Sequence, residues 1–175
     1  KPGGAYNFFN IPLSEIKNQV VPLADFAPHI LSQLRDAIME KETPDEKFAV
    51  LSGCMHSLLR DRNQTNPVMQ YSFRMLQQSA SDISIRTLAD KTGYTQKHLI
   101  SLFERYTGLT PKEYQRLCRF QNVLKQIEIE QSLSWASVAG SCGYYDQSHF
   151  IHDFKKFSGI NPVQYLRTKG GYCGY

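Results

Sequence analysis

Apolar side chains recur at intervals of three and four residues along most of this chain, which is the period of an amphipathic helix. In the first half, three segments carry this pattern, at 24–40, 44–60 and 66–79. The middle segment also has a helix start signal, because Thr43, Pro44 and Glu46 have the spacing of a capping box with a first-turn proline. After residue 23 no segment alternates convincingly with the two-residue period of a strand, so the predicted fold class is all-α.

Residues 1–23 differ from the rest because they are rich in proline and glycine. Pro2-Gly3-Gly4 opens the segment, and Pro12 and Pro22 interrupt it. Because glycine and proline punctuate regular structure, the segment is expected to be extended or looping. The predicted architecture therefore starts with a helical and irregular N-terminal part.

The second half contains an internal repeat. Four positions recur at an offset of 50 residues, where Leu88-Ala89, Gly93 and Tyr94 return as Val138-Ala139, Gly143 and Tyr144. Five more recur at an offset of 51 residues, where Leu99, Phe103, Gly108, Pro111 and Tyr114 return as Phe150, Phe154, Gly159, Pro162 and Tyr165. The single inserted residue falls just after the Gly-Tyr turn, where a loop can absorb it. Nine paired positions with one insertion are hard to obtain by chance.

Each copy is interpreted as two helices joined by a glycine turn. Gly93 and Gly143 supply the positive φ that a tight turn after a helix requires. Caps for the four helices are available at Ser84, Thr95, Ser134 and Asp146. This is the pattern of a helix-turn-helix motif, whose second helix enters the DNA major groove. The two motifs are predicted at about 84–107 and 134–158.

A further helix start signal follows each motif. Thr110-Pro111 with Glu113 opens a linker helix predicted at about 111–128, which spans roughly 27 Å at 1.5 Å per residue. Asn161-Pro162 with Gln164 repeats the device with amide side chains and opens a closing helix near 162–169. Residues 170–175 are expected to be a tail.

The outward face of each second helix carries side chains that can read bases. On a helical wheel the repeated Leu and Phe positions point inward. The opposite faces carry Gln96, Lys97, Ile100 and Ser101 in the first copy, and Gln147, Ser148, Ile151 and His152 in the second. Glutamine can pair with adenine, lysine can donate to guanine, and isoleucine can contact the thymine methyl group. A solvated helix face has a similar composition, so the pattern alone leaves both interpretations open.

Two stretches, LADKTGYTQKHLISLFERYTGLTPKEYQRLCRFQ and VAGSCGYYDQSHFIHDFKKFSGINPVQYL, resemble the DNA-binding domain of AraC/XylS-type transcription regulators. The second contains the family's G-Y/F-x-D-x-S-x-F-x-x-x-F-K core and its G-x-x-P-x-x-Y close. The resemblance covers about residues 66–169 and implies an AraC-type DNA-binding domain at 64–169. Residues 1–63 look like the tail of an N-terminal effector domain, so the chain is expected to begin inside a longer protein.

The resemblance implies a bacterial, cytoplasmic regulator that binds double-stranded DNA in a sequence-specific way and needs no cofactor. Its two second helices are expected to enter successive major grooves. The family's base-contacting positions fall on the outward residues, most directly on Gln96, Lys97, Ser101, Gln147, Ser148 and His152. RNA polymerase, and a small-molecule effector on a missing N-terminal domain, are the further partners that it implies.

Positive charge is concentrated in the half that holds the repeat. Residues 1–81 contain 8 Lys/Arg and 8 Asp/Glu, whereas residues 82–169 contain 12 Lys/Arg and 8 Asp/Glu. This excess suits a polyanionic partner, but a net charge of +4 is modest and also fits an ordinary solvated surface. Candidates for phosphate contact are Lys112, Arg116, Arg119, Lys155 and Lys156. Arg119 has a second interpretation, as a buried member of a structural ion pair.

Other function classes receive less support from the sequence. His149-x-x-His152-Asp153 has polar spacing that could suggest a metal, but the first copy has Ser101 in place of His152, so no metal site is predicted. The four cysteines lack zinc spacing, and no nucleophile with a base or pair of carboxylates stands at workable spacing, so an enzyme is not predicted. No apolar run approaches the roughly 18 residues that a membrane span needs. The remaining alternative is a helical protein-interaction module that does not bind DNA.

Overall fold

The computed structural model describes residues 3–9, 11–25, 28–60, 66–78, 83–129 and 134–171. These residues form ten α-helices and two short 3₁₀ turns, the latter at Leu13–Ile16 and Leu23–Asp25. The helices are α1 (Gly4–Phe9), α2 (Pro28–Met39), α3 (Pro44–Arg60), α4 (Pro67–Gln78), α5 (Ile85–Thr92), α6 (Gln96–Thr107), α7 (Pro111–Ile129), α8 (Trp135–Ser141), α9 (Gln147–Ser158) and α10 (Pro162–Gly171). The predicted all-α class is confirmed.

Local start signals explain several of these helix boundaries. At the start of α3 the Thr43 backbone N–H donates to Glu46 Oε2 at 3.1 Å, and the Glu46 N–H donates to Thr43 Oγ1 at 3.3 Å. Asn161 and Gln164 exchange the same pair of hydrogen bonds at the start of α10, at 3.3 and 2.8 Å. Both are the reciprocal capping boxes that the sequence predicts. Of the predicted tail at 170–175, residues 170–171 belong to α10, and residues 172–175 lie outside the described residues.

The expectation that residues 1–23 are extended or looping is wrong in part. Gly4–Phe9 is helical, and two 3₁₀ turns follow it. A helix of six residues is too short to be stable alone in water, so tertiary contacts must hold it. Tyr6 provides such contacts, because it is buried at 9% exposure and packs against α6. The proline and glycine content reflects only the local preference for loops, and tertiary packing overrides that preference in this segment.

The chain divides into two compact units. The first combines Lys1–Tyr71 with Thr95–Thr110, and the second combines Ser72–Tyr94 with Pro111–Tyr175. In the first unit α2 and α3 pack together as a helical hairpin, while α1 packs against both α3 and α6. In the second unit α9 packs against α7, α8 and α10. The predicted division into residues 1–63 and 64–169 stays a prediction.

Aromatic side chains form the core of the second unit. Phe150 and Phe154 of α9 are fully buried, as the wheel predicts. The Phe154 ring meets Phe120 of α7 edge-on at 5.2 Å, and the Phe150 ring stacks on Trp135 of α8 at 5.7 Å. Burying each phenylalanine contributes roughly 1.5–3 kcal/mol. The buried face of α9 is thus fixed by three neighbouring helices, and its opposite face is left to solvent.

The first helix of each motif ends in the same hydrogen-bond pattern. The Tyr94 N–H donates to the Ala89 carbonyl at 3.2 Å, and the Tyr144 N–H donates to the Ala139 carbonyl at 2.9 Å. The intervening Gly93 and Gly143 have φ of 72° and 76°. These are Schellman turns, in which a left-handed residue closes the helix. Ser84 caps its helix through the Thr87 N–H, whereas Ser134 makes no side-chain cap hydrogen bond.

A buried ion pair joins α7 to α9. Asp153 is fully buried, and Arg116 donates to both of its carboxylate oxygens, with the Nε–Oδ2 distance at 2.9 Å. Burial raises the pKa of Asp153, but the hydrogen bonds and the charge of Arg116 outweigh that effect and hold the pKa below its usual value. Asp153 takes the position of Leu102 in the first copy, so the repeat itself gave no sign of this pair.

We expect Arg116→Ala to lower the free energy of unfolding by about 3 kcal/mol, because it leaves a buried carboxylate without its partner. Asp153→Leu, which restores the residue of the first copy, should cost clearly less. The pKa of Asp153 is depressed in the folded state, so the pair stabilises above about pH 4 and this stability is lost as pH falls through the folded-state pKa. Urea unfolding from pH 7 to pH 2 measures both effects. Equal costs for the two variants would contradict this role.

We expect Gly143→Val to destabilise the second motif by about 1–3 kcal/mol, because a β-branched residue resists positive φ. The melting temperature should fall by roughly 2–4 °C per kcal/mol in a chain of this size. Gly140→Ala is the matched control, since Gly140 lies in α8 and an added Cβ meets no atom within 4 Å. That control should be neutral or slightly stabilising. A melting temperature of Gly143→Val equal to that of the unaltered chain would show that the turn tolerates a side chain.

Candidate DNA interface

The second helices of the two motifs, α6 and α9, begin with side-chain caps. The His98 N–H donates to Thr95 Oγ1 at 3.2 Å, and the His149 N–H donates to Asp146 Oδ1 at 2.7 Å. Both caps were predicted, and both are confirmed. A capped start places the first exposed turn of each helix in a defined direction, and this turn is where recognition helices contact base edges.

The two helices also end alike. Gly108 and Gly159 have φ of 73° and 80°, and each donates its N–H to the carbonyl four residues earlier at 2.9 Å. The hydroxyl groups of Thr107 and Ser158 donate hydrogen bonds to the carbonyls of Phe103 and Phe154, at 2.7 and 2.8 Å. Thr107 and Ser158 are 51 residues apart, the offset of the repeat, but the sequence analysis did not identify them as a repeated pair. The two helices are therefore one scaffold used twice.

The inward and outward faces of both helices separate as predicted. Leu99, Phe103, Phe150 and Phe154 are each 0% exposed. Of the eight residues predicted to face DNA, Ile100 is partly buried and seven are exposed. The exposed set is Gln96, Lys97, Ser101, Gln147, Ser148, Ile151 and His152. The structure thus places these side chains where a ligand could reach them, and their contact with bases stays a prediction.

The basic candidates for phosphate contact fall into two groups. Lys112, Lys155 and Lys156 are exposed, whereas Arg116 and Arg119 are partly buried. Arg116 forms a buried ion pair that the sequence did not suggest for it, while both interpretations of Arg119 stay predictions. Hydrogen bonding to Asp153 also raises the pKa of Arg116. The guanidinium of Arg116 is therefore already engaged within the protein.

The polar cluster around His149 and His152 is organised by this ion pair. His149 Nε2 lies 3.8 Å from one oxygen of Asp153, and His152 Nδ1 lies 3.6 Å from the other. Arg116 donates to both oxygens of this buried carboxylate, so both are engaged in the ion pair. Within the described ranges, no three His, Cys, Asp or Glu side chains are grouped to hold a metal ion.

The inserted residue of the second copy was not singled out in the sequence. Tyr145 is 94% exposed and directly precedes the Asp146 cap of α9. The first copy has no counterpart, because Thr95 follows Tyr94 directly. A tyrosine therefore directly precedes the cap of each second helix, but Tyr145 is 94% exposed whereas Tyr94 is 36% exposed. Its exposure could not be read from periodicity, because it lies in a turn.

None of the helices in the described part of the chain has both the length and the apolar character needed to cross a membrane.

Comparison with known proteins places these motifs in a family. A helix-turn-helix domain family matches residues 88–168. The probable transcription factor PqrA of Proteus vulgaris is 30% identical over 103 residues, which are 59% of this chain and 83% of that protein. The Msm operon regulatory protein of Streptococcus mutans is 25% identical over 159 residues, which are 88% of this chain and 56% of that protein.

A solved structure shares the fold. The C-terminal domain of AraT, a response regulator from Geobacillus stearothermophilus, superposes with a TM-score of 0.55 over 60% of this chain and 88% of that chain, at 22% identity. At this identity the match shows the fold alone. The chain spans most of the Proteus relative but only about half of the Streptococcus relative. Because the sequence relatives are transcription regulators and the helix-turn-helix domain is matched, the chain belongs to the AraC/XylS family of helix-turn-helix regulators, which bind DNA.

Proposed function

We propose that this chain reads two successive major-groove segments of one DNA duplex, with α6 in one groove and α9 in the next. The observation that carries the proposal is the repeated scaffold. Both helices share a side-chain cap, a glycine ending and two equivalent buried apolar positions. Their exposed side chains match at some positions and differ at others, which suits two readers that meet related but unequal sequences.

The pattern of matches predicts how the half-sites compare. Gln96 and Gln147 are equivalent, as are Ile100 and Ile151, so both half-sites should offer an adenine and a thymine methyl group. Lys97 is replaced by Ser148, and Ser101 by His152. Lysine donates to guanine O6 and N7, whereas serine is less selective. The half-site read by α6 should therefore require a guanine that the other half-site does not.

The linker helix sets the scale of the site. At 1.5 Å per residue, the 19 residues of α7 span roughly 28 Å. Successive major grooves lie about 34–36 Å apart along one face of DNA. Adding a helix offset at each end makes these lengths compatible, with some DNA bending at a cost of a few kcal/mol. Half-site centres should then lie about 10 base pairs apart.

Phosphate contacts would hold this arrangement on the duplex. Lys112, Lys155 and Lys156 are exposed, and Arg119 is partly buried on the same linker helix as Lys112. Tyr145 adds an exposed hydroxyl at the start of α9, where it could donate to a phosphate. Arg116 is the weakest of the basic candidates, because its guanidinium is paired with Asp153.

The family resemblance extends the proposal to partners beyond DNA. We include contact with RNA polymerase, and a response to a small-molecule effector held by a domain outside this chain. A regulator of bacterial genes acts where the chromosome is, so we place it in the cytoplasm. We assign it no catalytic activity, in keeping with relatives whose names describe transcription regulators.

We expect Lys97→Ala and Gln147→Ala each to relax base preference within a different half-site, by roughly 1–3 kcal/mol, because each removes one base contact. Footprinting of the full chain and both variants on a selected duplex is the measurement. Inserting five base pairs between half-sites should sharply weaken binding, since it turns one half-site to the opposite face. Loss of preference in the same half-site for both variants would rule out the two-groove arrangement.

We expect Lys155→Ala to weaken binding to all duplexes alike and to reduce the slope of log affinity against log salt by about 0.9, the loss of one phosphate contact. Ser148→Ala, on the first turn of the same helix, is the matched control and should leave the salt slope unchanged. Mobility shifts from 50 to 200 mM salt measure both. If the full chain shows no salt-dependent affinity for DNA, the result would favour the alternative interpretation, a protein-interaction module that does not bind DNA.

A further inference from the structure

The N-terminal part of the first unit packs directly on α6. Helix α1 and the 3₁₀ turn at Leu13–Ile16 both contact this helix. Their contacts with Arg105, Tyr106 and Gly108 lie at the end of this helix, whereas residues of its first turn are exposed. We name the described residues 4–9 and 11–16 the N-terminal clamp.

Tyr6 makes the first group of contacts. Arg105 of α6 donates from Nε to the Tyr6 hydroxyl oxygen at 2.8 Å, and the Arg105 guanidinium also lies over the Tyr6 ring, 5.4 Å from its centroid. The ring of Tyr106 tilts against the same tyrosine at 4.4 Å. One aromatic residue of the clamp thus engages two consecutive side chains of α6 through a hydrogen bond, a cation–π contact and an aromatic contact.

Leu13 makes the second contact, with the glycine that ends α6. The Leu13 carbonyl lies so close to Gly108 that an added Cβ would stand 2.9 Å from its oxygen and 3.2 Å from its carbon. Gly159 is the equivalent residue at the end of α9, and a Cβ there meets no atom within 4 Å. Gly108 therefore has two constraints, its positive φ and the close approach of Leu13, while Gly159 has only the first.

We propose that the N-terminal clamp is a positioning element for α6, so that the clamp and the first half-site are coupled while the second half-site is not. This inference rests on the proposed function, since it assigns α6 to one half-site. A clamp that is docked fixes α6 before DNA arrives, and DNA bound at that half-site should in turn hold the clamp in place. Such coupling is reciprocal and typically amounts to about 5- to 150-fold in affinity.

Gly108→Ala and Gly159→Ala form the matched pair that tests the coupling. Both place a side chain at positive φ, so both carry the same backbone strain, but only Gly108→Ala pushes against Leu13. Footprint titration of the full chain reports each half-site separately, and hydrogen exchange of residues 4–9 and 11–16 reports the clamp. We expect Gly108→Ala to weaken the first half-site by about 5- to 10-fold, to speed exchange in the clamp, and to leave the second half-site unchanged. Gly159→Ala should leave the first half-site and the clamp unchanged.

Tyr6→Phe and Tyr6→Ala test the same coupling without altering α6. Tyr6→Phe keeps the ring and loses the hydrogen bond from Arg105, so its effect on the first half-site should be smaller than that of Tyr6→Ala. Should Gly108→Ala fail to fold by circular dichroism, Tyr6→Ala carries the test with the same two readouts. Adding DNA to the unaltered chain should slow exchange in the clamp.

Three outcomes separate this inference from the proposed function. A clamp that is released without any change at the first half-site overturns the inference, while two half-sites in the footprint of the unaltered chain still support two-groove reading. Equal weakening of both half-sites also overturns it, because that result indicates general loss of structure. A footprint with a single half-site overturns the two-groove proposal itself, and the coupling falls with it.

Discussion

Left-handed glycines are the constraint on which both motifs depend. In each copy one glycine closes the first helix and another closes the second, all with φ between 72° and 80°. A side chain at these positions would force the chain out of the turn or strain it. Because the turns fix where each helix ends, they also fix which residues reach the core. Phe103 and Phe154 are fully buried for this reason, and the polar residues one turn away are left exposed.

The sequence predicted what is encoded locally and missed what is encoded by contact between distant segments. Caps at Thr95 and Asp146, and helix starts at Pro44 and Pro111, follow from neighbouring residues and could be read directly. The helix at Gly4–Phe9 could not, because its stability comes from α6, about a hundred residues away. The Arg116–Asp153 pair was missed for the same reason, and because the repeat places leucine at the equivalent position. The identities of the exposed residues were predicted, whereas their partners in DNA are not encoded in a single chain.

The two copies stabilise their second helices by different means. Helix α9 is tied to α7 by the buried ion pair and by stacked aromatic rings within the second unit. Helix α6 instead receives a clamp from residues before the motif, through Tyr6 and Leu13. A buried ion pair inside one unit is a fixed feature of that unit. The clamp is instead formed by a segment about a hundred residues away along the chain, and under our inference its docking on α6 is coupled to the first half-site.

This difference gives the half-sites unequal roles under the proposed function. The last turn of α9 carries Lys155 and Lys156, whereas the equivalent residues of α6 are Glu104 and Arg105, and Arg105 is engaged by Tyr6. In that proposal α9 would supply sequence-independent attraction to phosphates, while α6 would add Lys97 and with it a demand for guanine. A regulator built this way would hold DNA through its second motif at all times. Its first motif would read the remaining half-site only when the preceding segment positions it, which makes the clamp the place where a signal from outside the DNA-binding domain can act.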